Sequence, residues 1–187
     1  MTADRGGLPA VIDRPTPTQL NIGFLTAIAE GSGHLGGYLV TNAWGRPLEF
    51  RLTTSVQPNR VQEILYGATL GEYILADLIG KTLIEKTATQ PALVVVDSVA
   101  LLPLRSRIEI PVIAIAADKK TYPDTLSMRH DRSKHPILYP VKFSDDGPRI
   151  AQLLDAIDAA VELGEPFTRV REAIVEARKM GVTSRAA

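Results

Sequence analysis

Along residues 20–54 the apolar positions fall into three blocks separated by short polar turns. LNIGFLTAIAE (20–30) is apolar almost throughout and HLGGYLVT (34–41) nearly so. In RPLEFRLTT (46–54), by contrast, Leu48, Phe50 and Leu52 alternate with Glu49, Arg51 and Thr53. A near-continuous apolar run marks a strand covered on both faces, whereas strict alternation marks a strand with one wet face. With GSG and NAWG as turns, the segments predict a three-stranded antiparallel meander, its first strand central and its third an edge.

From Val61 to Lys86 the period lengthens. Val61, Ile64, Ala68, Leu75, Leu78 and Thr82 share one helical face, and Asn59 is placed to cap the helix. Gly67, Gly71 and Gly80 interrupt it and predict either close packing on the sheet or a break near residue 70. Leu93–Val96 and PVIAIA (111–116) have the length and continuity of parallel strands buried on both faces. HPILYPVKF (135–143) is a further strand, assigned to an edge because it carries two prolines. Ile150, Leu153, Leu154, Ile157 and Val161 predict one C-terminal helix; after Gly164, Phe167, Val170, Ile174 and Ala177 predict a second, opened by Pro166. The polar stretch Lys119–Lys134 is left as one long connection, and such connections are functional or disordered. The pattern is α/β: a mixed sheet with C-terminal helices, forming a single domain over 19–187 behind a Gly/Pro-containing flexible arm at 1–18.

Composition narrows the functional classes. The 187 residues are 45% hydrophobic and 22% charged with a formal net charge of zero, so the chain is globular and its overall charge selects no partner. There is no cysteine, which excludes disulfides, thiolate catalysis and Cys-ligated zinc. No signal-like apolar segment opens the chain and no apolar run is long enough for a membrane span, so a soluble, cytoplasmic protein is expected.

Familiar motifs are absent. DLIGKT (77–82) ends like a phosphate-binding loop, but Leu75 stands where its first glycine belongs and the segment continues a helix. His34, His130 and His135 form no helical metal pair, and Ser98 has no nucleophile elbow around it. Two features remain. Asp97 ends the strand of LVVVDS, and Asp118 closely follows the next strand. Ligands of open α/β sheets collect at these carboxyl ends, where two adjacent carboxylates could share Mg²⁺ or Mn²⁺; a turn or cap role is the alternative. Second, KKTYPDTLSMRHDRSKH (119–135) sets Lys119, Lys120, Arg129, Arg132 and Lys134 against Asp124 and Asp131, a surplus suited to a phosphate backbone or simply to solvation.

The order strand, strand, strand, helix, strand, short crossover, strand, terminal helices resembles the ribonuclease H-like fold. LVVVDS followed by RSRIEIPVIAIAADKK is similar to the corresponding part of endonuclease V-like proteins. The resemblance implies a metal-dependent nuclease in which a first-strand Asp, a helix acid and the strand-end Asp hold the metal. It assigns Asp97 to the strand-end position, Glu63 to the helix acid, and Lys119 or Lys120 to the lysine after PVIAIA. The first-strand Asp is missing: LNIGFLTAIA contains no carboxylate, with only Asn21 before the run and Glu30 beyond it.

These features predict a catalytically degenerate, nucleic-acid-associated protein of a larger assembly. Asp97, Glu63 and Asp118 would form its remnant site, with Asp97 and Asp118 as the metal ligands. An active divalent-metal nuclease using the same acids is the alternative. A third reading is a structural subunit, with a protein partner or a second copy of the chain docking on the exposed-looking edge at RPLEFRLTT.

Overall fold

The computed structural model describes residues 20–118 and 120–181. The arm expected at 1–18 and Lys119 lie outside the described residues. The remainder forms a seven-stranded mixed sheet in the order β3-β2-β1-β4-β5-β7-β6. β1 (Asn21–Glu30) and β2 (Gly33–Asn42) pair antiparallel along their full length, turning at Gly31, whose φ is +58°. β3 (Pro47–Leu52) adds an antiparallel edge, while β4 (Leu93–Val96) and β5 (Val112–Ile115) continue parallel from the other side of β1. LVVV and VIAI are buried at every position, as continuous apolar runs in the middle of a covered sheet require.

A helical connection fills 60–85. α1 (Arg60–Tyr66) opens on a capping box in which the Asn59 side chain accepts from Gln62 N–H and Gln62 answers to the Asn59 backbone. A 3₁₀ turn, Gly67–Thr69, breaks the helix at Gly67, whose φ of +51° suits glycine. α2 (Leu70–Glu72), a π-helical stretch (Tyr73–Lys81) and α3 (Thr82–Glu85) follow. The break corrects the single predicted stripe: α1 buries nothing, and Val61, Ile64 and Leu65 face solvent. Within the π-helix the i→i+5 winding turns Ile74 and Ile79 inward, leaving the predicted Leu75 and Leu78 half-buried. Gly80 packs against Leu104, so close packing accounts for one predicted glycine and a break for another. DLIGKT lies inside this helical run, with Asp77 ion-paired to Arg107.

A 3₁₀ crossover, Val99–Ser106, joins β4 to β5. Beyond β5 the structure departs from the sequence reading. The stretch expected to be one connection contains β6 (Thr125–Met128), which is the sheet edge, and β7 (Ile137–Pro140) lies inside the sheet, paired to β5 and β6. Pro136 precedes β7 and Pro140 ends it, so neither proline interrupts the ladder. α4 (Asp146–Asp155) stops before Ile157, and α5 (Glu165–Lys179) begins at the expected Pro166.

The sheet carries a core on each face. α4 and α5 cover one with Ile150, Leu154, Phe167, Val170 and Ile174; the 60–85 connection and the crossover cover the other with Ile79, Leu83, Leu101 and Leu104. β3 has one wet face, and it is the apolar one. Phe50, opposite Leu39, is exposed on the α5 side, beyond the reach of that helix, and Leu48 is exposed where the register with β2 shifts by one residue. On the opposite face Glu49 accepts from the backbone N–H groups of Thr89 and Ala88 and pairs with Arg51. The Thr89 N–H, with Arg51 and Ala88, holds the Glu49 carboxyl below the usual range against the effect of burial.

Candidate functional site

The carboxyl ends of β1, β4, β5 and β6 lie at one end of the sheet, because β1, β4 and β5 are parallel and β7 is antiparallel to both β5 and β6. Asp97 leaves β4 there. Continuing the register Leu25↔Val96 sets Thr26 of β1 opposite it. Thr26 is buried at 1% exposure and donates its hydroxyl to Asp97 Oδ2 at 2.6 Å. α5 crosses the same face, and its Arg171 guanidinium donates to the same oxygen. The Asp97 side chain is 14% exposed, whereas that of Arg171 is half in water at 51%. Burial pushes the Asp97 carboxyl above its usual range, outweighing the Thr26 hydrogen bond and the Arg171 charge. One helical repeat further on, Arg178 pairs with Glu30 at the end of β1, so α5 grips this end of the sheet at two carboxylates.

Thr26 and Arg171 were not singled out from the sequence. A lone polar residue in the β1 run was the available signal for Thr26; Arg171 has none, being one basic residue on an amphipathic helix. Asp118 lies beyond the β4–β5 ladder, where it accepts from the Tyr122 hydroxyl at 2.7 Å and sits 3.8 Å from Lys120. Glu63 pairs within its own helix, with Arg60 at 3.0 Å. Ser98 caps the crossover through Ala100 N–H. Among the described residues no three His, Cys, Asp or Glu side chains are grouped so as to hold a metal ion, so Asp97, Asp118 and Glu63 do not come together as a ligand set.

The basic segment is divided between tasks. Arg132 braces the turn after α4, donating to the carbonyls of Ile157 and Ala159, and Lys120 faces Asp118. Arg129, directly after β6, and Lys134, before β7, are exposed at the same end of the sheet as Asp97 and take part in no ion pair among the described residues. His130 contacts Asp155 at 3.0 Å. An open cavity of about 610 Å³ lies elsewhere, between the crossover and the β6–β7 hairpin, lined by Leu102, Arg107, Thr125 and Phe143 among others.

The fold as a whole is similar to that of a solved structure. The chain is similar to an endonuclease V from Bacillus subtilis at 13% identity, covering 90% of this chain and 87% of that one with a TM-score of 0.50. The fold is ribonuclease H-like. A looser similarity, on which that assignment does not rest, is to endonuclease V from Ciona intestinalis in complex with DNA containing an inosine followed by a ribo-adenosine. It has 10% identity, 83% and 86% coverage and a TM-score of 0.43. No family model matches the chain, and no curated protein matches it in sequence.

The family resemblance implies a divalent metal between a first-strand carboxylate and the strand-end Asp. The residues present do not fit one. The first-strand residue beside Asp97 is Thr26, which offers a hydroxyl and no carboxylate, and Asp97 already has a guanidinium against it. A cation beside Asp97 would have to displace Arg171 and would find neutral Thr26 in place of a second negative ligand. No helix among the described residues is long and apolar enough to cross a membrane.

Proposed function

We propose that this protein is a catalytically degenerate, ribonuclease H-like, nucleic-acid-associated protein that acts within a larger assembly. The observation that carries the reading is the Thr26–Asp97–Arg171 constellation. The strand-end acid retains its place in the fold, but an internal cation compensates its charge, and a threonine stands where a metal ligand would be needed. Hydrolysis that depends on metal-activated water lacks its anchor in such a site. The nucleic-acid part rests on charge placement, since Arg129 and Lys134 are exposed, without an ion pair among the described residues, at the end of the sheet where ligands of open α/β folds bind.

The test is fluorescence anisotropy with labelled single- and double-stranded DNA and RNA over a range of salt, in parallel with a Mn²⁺-dependent cleavage assay. Binding through two phosphates should give a log–log salt slope of about −1.4 on single strands and about −1.8 on duplex, and Arg129→Ala with Lys134→Ala should abolish it. No cleavage is expected. Mn²⁺-dependent cleavage lost in Asp97→Asn would establish an active nuclease instead. No binding at low salt would favour the purely structural subunit, a reading supported by the exposed apolar side chains on β3 and α1.

A further inference from the structure

We infer that β3 is a self-complementary edge through which two copies of this chain join their sheets into one. Among the described residues β3 is the outermost strand, paired only to β2, and the opposite edge is the four-residue β6. Thr53 N–H donates inward to the Gly36 carbonyl, so by the alternation of an antiparallel ladder Phe50 and Leu52 direct their backbone groups outward. An edge with free N–H and C=O groups is a template for another strand, and proteins that avoid pairing usually place charges on it. Here Phe50 is 38% exposed, and Leu48, at the point where the register with β2 shifts, is 48% exposed.

The occupant follows from the residue order PLEFRL. When two such strands run antiparallel about a two-fold axis through Phe50, each Phe50 meets its counterpart within the regular stretch Glu49–Leu52, which lies beyond the register shift at Leu48. On the opposite face Glu49 of one copy meets Arg51 of the other, twice. Each of these is a favourable cross-strand pair: aromatic on aromatic, and two opposite-charge pairs. Arg51 commits only its Nε to Glu49 within the chain, at 2.6 Å, and its side chain is 38% exposed, which leaves both Nη groups for the second copy. Shifting the register by one residue removes the charge pairing and places apolar side chains opposite charged ones. The contact is isologous and therefore closes as a dimer. Short strands bury less than a standard interface, so a reversible dimer of micromolar affinity is expected.

Sedimentation velocity of the full chain from micromolar to millimolar concentration tests this. The mass should rise from 20.3 kDa toward twice that value, and Phe50→Asp, which sets two carboxylates face to face, should hold it at the monomer. Arg51→Glu should weaken the dimer at least tenfold, with circular dichroism confirming that each variant is folded. Because the chain has no cysteine, Phe50→Cys should cross-link to itself under mild oxidation far faster than Leu48→Cys, which lies off the two-fold axis. A monomer at every concentration would overturn the inference. So would a dimer indifferent to Phe50→Asp, or equal cross-linking at the two positions.

Discussion

Removing either half of the Asp97–Arg171 pair should have unequal consequences, because the two halves are unequally buried. Arg171→Ala leaves a carboxylate that is 14% exposed with only the Thr26 hydroxyl for compensation, whereas Asp97→Asn leaves a guanidinium already half in water. Stranding a fully buried charge costs about 3–5 kcal/mol and losing an exposed pair about 0–1 kcal/mol. The geometry lies between these limits, so about 2 kcal/mol is expected for Arg171→Ala and about 0.5 kcal/mol or less for Asp97→Asn. For a domain of this size those values lower Tm by about 4–8 °C and about 1–2 °C.

Urea unfolding at neutral and acid pH reads both the difference and its cause. The folded Asp97 carboxyl sits above its ordinary range through burial, and loss of Arg171 removes one of the influences that lower it. The folded state of Arg171→Ala therefore holds its proton to higher pH than the unfolded chain. Its deficit is complete above the raised folded value and disappears below the unfolded value of about 3.9, where both states are protonated. By the same sign, wild type loses stability relative to Asp97→Asn as pH rises from about 3.9 through that raised value. The reasoning fails if Asp97→Asn costs as much as Arg171→Ala, or if the Arg171→Ala deficit persists unchanged in acid.

Three further outcomes are expected. Glu49→Gln should cost about 1 kcal/mol at neutral pH by weakening the bonds to Thr89 and Ala88; because the folded Glu49 carboxyl is depressed, that cost should fade as acid protonates it, as pH-dependent urea midpoints would show. Gly23→Ala would bring a Cβ to 2.2 Å from the Tyr38 hydroxyl oxygen and should destabilise by about 1–3 kcal/mol in thermal melts; Tyr38→Phe, which removes a buried hydroxyl without a partner, should be neutral or stabilising by up to about 1 kcal/mol. Asn59→Ala breaks the capping box of a helix that buries nothing, so amide exchange in α1 should quicken while global stability changes by less than about 0.5 kcal/mol.

The strands of the two cores could be read from the sequence because burial on both faces leaves an unbroken apolar run, as in LVVV and VIAI. β6 left no such trace: Thr125–Met128 has no buried position, and its pairing depends on β7, nine residues further on. Alternation in β3 separated two faces but could not say which one a helix would cover, nor that the register would shift at Leu48, and α5 stops short of Phe50. In the 60–85 connection the π winding turned the face that a 3.6 period assigns. At the candidate site Asp97 was legible as a polar residue ending a buried strand. Its partners were not, because Thr26 is set by a parallel register and Arg171 by the path of a helix 74 residues away.

That separation bears on how the molecule is made. The β1–β2–β3 meander closes through contacts near in sequence and can form early, but β4 must join β1 across the whole helical connection, and Asp97 meets its counter-charge only after α5 has been synthesised and docked. For much of chain elongation the end of the nascent sheet therefore displays a bare carboxylate beside a hydroxyl. Docking of α5 sets Arg171 against it and closes most of that strand end from water.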